Sequence, residues 1–171
     1  MELSDYLKDV PDFPKPGIVF KDISPLLRSP DAYRAAIDAM AEPFIGRDVT
    51  AVAGIDSRGF LFGPGIAEKL GVGFVMLRKG GKLPGDVIGV DYELEYGTDR
   101  VELVEGLLDE SDSVLIVDDV LATGGTLAAA CALVRSAGSM VAGVSVLVHL
   151  VALNGQSKIP DSELHTQVEV N

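Results

Sequence analysis

The sequence predicts an α/β protein with a doubly wound, mostly parallel sheet, and three observations carry that reading. The stretches at 51–55, 72–77, 114–117 and 141–151 read as buried strands, with 114–117 an uninterrupted apolar run. Segments of helical periodicity separate them, the alternation expected of parallel strands joined by crossover helices. The 171 residues, 47% of them apolar, suffice for one well-buried domain, and 1–171 is read as one domain.

Lys and Arg total 14 against 26 Asp and Glu, for a net charge of -12. That balance argues against a nucleic-acid partner. An anionic ligand would need a local basic cluster or an accompanying divalent cation, because the overall field opposes it. Cys131 is the single cysteine and reads as a buried thiol in a helix. The N-terminus has neither a basic segment nor an apolar core of a signal, and no apolar run approaches the roughly 18 residues of a membrane span. The expectation is a cytoplasmic protein with no membrane partner.

Along the chain, Leu3, Tyr6, Leu7 and Val10 have helical spacing and predict a short helix over 1–10. Pro11-Asp-Phe-Pro-Lys-Pro-Gly17 is too rich in proline for a helix or central strand and reads as a rigid exposed arm. An extended piece follows at 18–23. Phe20 within it suits either the core or a ligand platform. Ser24-Pro25 starts a turn, and 31–44 reads as an amphipathic helix.

The strand at 51–55 runs into Asp56-Ser-Arg-Gly59, a turn before a helix over 63–70. In a doubly wound sheet, ligands bind beyond the carboxyl ends of the strands, so Arg58 is placed for an anion or a base, or for capping carbonyls. After the strand at 72–77, Arg78-Lys-Gly-Gly-Lys82 gathers cations in an acidic chain, either to hold an anion or as a solvated loop. Residues 85–100 make a long excursion in which Tyr92 to Gly97 alternates like a hairpin arm, and 101–108 is read as a helix.

The strand at 114–117 delivers Asp118 and Asp119, followed by Ala122-Thr-Gly-Gly-Thr126 and a helix over 127–137 with Gly138 after its end. Amides at a helix N-terminus, with glycines that let backbone approach closely, form a phosphate cradle from Ala122, Thr123, Gly124, Gly125 and Thr126. An ordinary turn needs only one cap, such as Thr126. Paired carboxylates beside an anion cradle suit a sugar phosphate, with Asp118 and Asp119 on ribose hydroxyls. The loop lacks the endings of a Walker A or dinucleotide motif. His149, near the end of the strand at 141–151, reads as structural, and only 167–170 of the polar tail reads as a strand.

The 114–126 stretch resembles the phosphoribosyl pyrophosphate (PRPP) motif of the type I phosphoribosyltransferases. Asp12-Phe-Pro-Lys-Pro-Gly-Ile-Val-Phe-Lys-Asp-Ile-Ser-Pro-Leu-Leu27, Asp56-Ser-Arg-Gly-Phe-Leu-Phe-Gly-Pro64 and Leu94-Glu-Tyr-Gly97 are similar to the adenine-specific branch of that family. The resemblance spans about residues 10–160. It implies the type I phosphoribosyltransferase fold, with a small base-binding hood from the N-terminal arm and a flexible lid loop, and transfer of the phosphoribosyl group from PRPP to adenine, giving AMP and pyrophosphate.

It further implies adenine contacts from Phe20, Val19 and Arg58, and pyrophosphate contacts from Asp56, Ser57, Arg78, Lys79 and Lys82, with a strained or cis peptide at Asp56-Ser57. Glu95 and Tyr96 take the catalytic positions, although Glu93 shares a strand face with Glu95. Lys21 stands where relatives commonly carry Arg. Mg²⁺ is expected on the substrate's oxygens, with no protein-built metal site, and the assembly implied is a homodimer. A different phosphoribosyltransferase would change the 12–27 arm. A PRPP-sensing regulator would lose the Leu-Glu-Tyr-Gly segment and gain a basic surface.

Overall fold

The computed structural model describes residues 1–93 and 97–171. A single turn of 3-10 helix at Leu3–Tyr6 leads into β1 (Lys8–Pro11), which pairs antiparallel with β2 (Val19–Asp22). The helix expected over 1–10 is therefore only one turn. One turn forms few hydrogen bonds for the dihedrals it fixes, and Val10 is used instead opposite Phe20 in the hairpin. Leu3, Tyr6 and Leu7 still pack on the core.

Ser24-Pro25, read as a turn, opens the short helix α1 (Ser24–Arg28). Ser29 then caps α2 (Pro30–Ala41) by accepting from the Ala32 N-H, with Pro30 and Asp31 in the first turn. Next come β3 (Ala51–Ile55), α3 (Gly63–Leu70), β4 (Gly73–Lys79), β5 (Val87–Glu93) and β6 (Thr98–Val104). β7 (Ser113–Leu121), α4 (Gly125–Ser136), β8 (Met140–Leu150) and β9 (Leu164–Val170) complete the chain.

The seven-stranded sheet has the order β5-β6-β4-β3-β7-β8-β9, and neighbours from β4 through β9 run parallel. β6 runs antiparallel to both β4 and β5. This corrects the helix expected over 101–108. Val101 and Leu103 are buried, and the strand that carries them pairs along its whole length with β5. Cross-strand pairing overrides a short apolar run that fits either period.

Two apolar layers sandwich the sheet. One gathers Ile116, Val144 and Val146 beneath Leu127, Ala130, Leu133 and Val134 of α4. The other gathers Val52, Leu115, Val117 and Leu147 beneath Leu26, Ala36, Ile37, Met40 and Ile66 of α1, α2 and α3. Helices on both faces leave the C-terminal strand ends as the open edge of the molecule.

β9 is longer than the 167–170 expected, because its backbone pairs with β8 from Val144↔Leu164 to Leu150↔Val170. Arg47 pins its approach through Glu163 at 2.7 Å, and His165 reaches the same carboxylate at 2.7 Å.

Candidate active site

β3 and β7 are parallel neighbours, so the 56–59 turn and the 118–126 segment open at the same edge. Gly59 makes the approach possible. A Cβ there would stand 2.6 Å from the Val117 carbonyl oxygen, so any larger residue would push the turn off β7. The Asp56–Ser57 peptide is cis, as the resemblance implies.

β7 runs on to Leu121, so Asp118 and Asp119 sit inside the strand and not beyond its end. Ala122, Thr123 and Gly124 then turn the chain into α4. Gly124 has φ of 80°, and a Cβ on it would collide with the Gly155 carbonyl oxygen. Gly155 is packed just as tightly against Ala122. The amide cradle is thus held from behind by the segment after β8, and both glycines are required for that contact.

A crevice of about 190 Å³ is lined by Arg58 and by every residue from Asp118 through Leu127, which includes the whole predicted cradle. It adjoins a second crevice of about 330 Å³ lined by Asp56, Ser57, Arg58, Lys79, Tyr92, Asp99, Asp118, Asp119 and Thr126, together with Ile55. A third, mainly apolar pocket of about 260 Å³ is formed by Ile18, Val19, Phe20 and Lys21 on one side and Val120, Ala122, Leu150 and Leu153 on the other.

Arg58 lines all three. Its guanidinium carbon lies 5.0 Å from the Phe20 ring centroid, and its Nε lies 3.1 Å from Asp119 Oδ2. That ion pair lacks hydrogen-bond alignment, so Asp119 Oδ2 is buried without a hydrogen-bond donor among the described residues. A ligand hydroxyl would supply one.

Asp118 Oδ1 accepts from the Asp119 N-H at 2.9 Å. Asp118 keeps some exposure to the crevice, yet burial and the adjacent Asp119 charge raise its carboxyl well above the ordinary range. Burial also raises Asp119, against the opposing pull of Arg58.

The basic segment divides. Arg78 Nε pairs with Asp56 Oδ2 at 3.2 Å, its guanidinium also lies against Phe60, and Lys79 faces the larger crevice. Lys82 is exposed and outside the crevice linings. The Gly81 amide donates to Glu102 Oε2 at 2.9 Å, which ties the segment to β6. Lys21 lines the apolar pocket with its ammonium held at 2.6 Å by Asp9. Glu95 and Tyr96 lie outside the described residues.

Sequence reasoning missed Tyr92 and Asp99: they become neighbours only through the β5–β6 register, which places Tyr92 opposite Asp99 and which the alternating stretch did not fix. His149 is buried, and its Nε2 has no hydrogen-bond partner among the described residues.

Residues 23–170 match the model of the phosphoribosyl transferase domain. The chain belongs to that phosphoribosyltransferase family. The adenine phosphoribosyltransferase of Thermobifida fusca is 52% identical over 165 residues, covering 96% of this chain and 94% of the relative. Among solved structures, the adenine phosphoribosyltransferase of Rhodothermus marinus superposes with a TM-score of 0.94 at 46% identity, covering 98% of this chain and 96% of that one. That of Saccharomyces cerevisiae, complexed with an imino-altritol bisphosphate and adenine, gives 0.92 at 40% identity over 97% and 96% of the two chains. Within the family the chain falls with the adenine phosphoribosyltransferases.

Proposed function

We propose that this chain, acting as one domain over 1–171, transfers the 5-phosphoribosyl group of PRPP to adenine and releases AMP and pyrophosphate in purine salvage. The observation that carries the reading is the position of Arg58, which joins an apolar slot faced by Phe20 to the carboxylates and cradle of the phosphate crevice. A flat base in the slot and a sugar phosphate in the crevice would meet at this arginine. The yeast relative complexed with adenine supports the same choice of base.

In this mechanism the amides of the 122–126 segment and the α4 N-terminus hold the 5′-phosphate, with the hydroxyls of Thr123 and Thr126 beside them. Asp118 and Asp119 take the ribose hydroxyls. Asp119 Oδ2 accepts where no protein group donates, and the Asp118 carboxyl lines the crevice beside it. Phe20 stacks on adenine while main-chain groups of Val19 read its edge.

Asp56, Ser57 and Lys79, which line the larger crevice, serve the pyrophosphate, with Arg78 and Lys82 of the adjoining basic segment reaching it from outside that lining. As the bond from C1 to pyrophosphate breaks and the bond to the purine nitrogen forms, positive charge grows at C1 beside the two carboxylates. The displaced purine proton passes to the Glu95–Tyr96 segment.

Among the described residues no group of three or more His, Cys, Asp or Glu is arranged to hold a metal ion. The crevice-facing Asp118 and Asp119 oxygens fit a hydrated Mg²⁺ carried on PRPP, where it would offset charge on the departing pyrophosphate. A homodimer in the cytoplasm is the setting inferred from the resemblance. No helix among the described residues is long and apolar enough to cross a membrane, and the net charge of -12 disfavours nucleic acid. Purified protein given adenine, PRPP and Mg²⁺ should form AMP and pyrophosphate one for one; no AMP from folded protein would refute the assignment.

A further inference from the structure

Tyr92 ends a line of side chains that crosses the larger crevice from the basic segment to the phosphate cradle. Its hydroxyl donates to Asp99 Oδ2 at 3.2 Å and also meets the Thr126 hydroxyl. A Cβ added to Gly125 would stand 3.8 Å from the Tyr92 ring, so this ring lies against the first turn of α4. From the other side, Lys79 Nζ comes within 3.5 Å of the same Asp99 Oδ2. The second oxygen, Asp99 Oδ1, accepts from the Arg100 N-H at 2.8 Å.

Asp99 is therefore fixed by groups of the β5–β6 hairpin, with 25% of its side chain exposed, while Lys79 is 59% exposed. The backbone amide of Arg100, followed by Lys79 and Tyr92, holds the Asp99 carboxyl below its ordinary range. It presents a fixed anion at the wall of a crevice meant for anions.

We infer that Asp99 is a positioning residue that holds the Lys79 ammonium at the crevice wall and competes with the incoming pyrophosphate group for it. The inference rests on the phosphoribosyltransferase reading of the crevice. Asp56, Asp118 and Asp119 are the other acidic side chains lining the crevice that Lys79 faces. Asp99 offers a partner elsewhere, at a separation loose enough to be given up. A pyrophosphate carries more charge than one carboxylate and replaces Asp99 when it arrives. Because Tyr92 touches both Asp99 and Thr126, the hairpin strand that holds the lysine's counter-ion also rests on the phosphate cradle.

A purely structural Asp99 would make the opposite prediction on substitution, because loosening the hairpin would weaken ligand binding. Titration of the full-length protein with pyrophosphate and Mg²⁺, and KM for PRPP with adenine saturating, separates the two. Asp99→Asn should tighten pyrophosphate and lower KM for PRPP by about threefold to tenfold at low salt, an effect sized for one partly exposed ion pair. The gain should shrink near 1 M salt, where the screening length falls to about 3 Å.

Asp99→Glu, which keeps the charge, should bind like the unsubstituted protein. In a Lys79→Gln background the Asp99→Asn gain should vanish. Weaker or unchanged binding in folded Asp99→Asn, or an equal gain without Lys79, would overturn the inference. Failure of the unsubstituted protein to bind pyrophosphate or use PRPP would instead refute the reading of the crevice itself.

Discussion

At the scale of single residues, Asp118 is where stability and function oppose each other. Its carboxyl is raised by burial and by Asp119, so the folded state binds a proton more tightly than the unfolded chain does. Stability contributed by that proton is present below the ordinary carboxylate range and is lost as pH rises toward the folded value. Asp118→Asn removes this loss. Thermal unfolding should give the variant a higher Tm than the unsubstituted protein at pH 7, with the difference closing toward pH 4.

The same variant should lose about ten- to a hundredfold in kcat/KM for PRPP, the worth of one charge-assisted hydrogen bond of about 1.5 to 3 kcal/mol. Unchanged kinetics would make the pair structural. Adjacent carboxylates before a glycine-rich turn were legible in the sequence, and both line the crevice. The alignment of Arg58 with Phe20 and Asp119 was not, because its partners come from β2 and β7, far apart in the chain.

At the scale of elements, legibility followed the source of each element's stability. β3, β4, β8 and α3 lie close to their sequence-derived bounds, since apolar runs and a following Gly71 are local signals, whereas β7 extends past its apolar run to Leu121. β6 and the full length of β9 depend on partners supplied by β5 and β8, so local periodicity could not reveal them.

The β5–β6 hairpin brings Tyr92 and Asp99 to the crevice, and its connecting residues carry the proton-transfer assignment. Glu95→Gln should lower kcat by about 10² to 10⁴, with a much smaller change in PRPP affinity, if Glu95 handles the purine proton. Glu93, exposed at the end of β5, is the control. A larger loss in Glu93→Gln would move the role to that residue, and near-normal kcat in both would remove it from either, provided chemistry limits the rate.

For the whole molecule, a net charge of -12 surrounds a site built for a highly charged anion. Local architecture resolves the conflict: cradle amides at the α4 N-terminus face the crevice, while Arg58, Arg78 and Lys79 are concentrated at the same sheet edge. In the proposed arrangement the apolar slot beyond Arg58 selects which base reaches the ribosyl carbon. Stacking on Phe20 accepts any purine, so discrimination must come from main-chain groups that match the amino-bearing edge of adenine and leave an oxo-purine with unpaired polar groups. The most direct measurement is kcat/KM for adenine, hypoxanthine, guanine, xanthine and orotate with purified protein, PRPP and Mg²⁺. The account predicts efficient conversion of adenine alone; comparable turnover of hypoxanthine or guanine would contradict it.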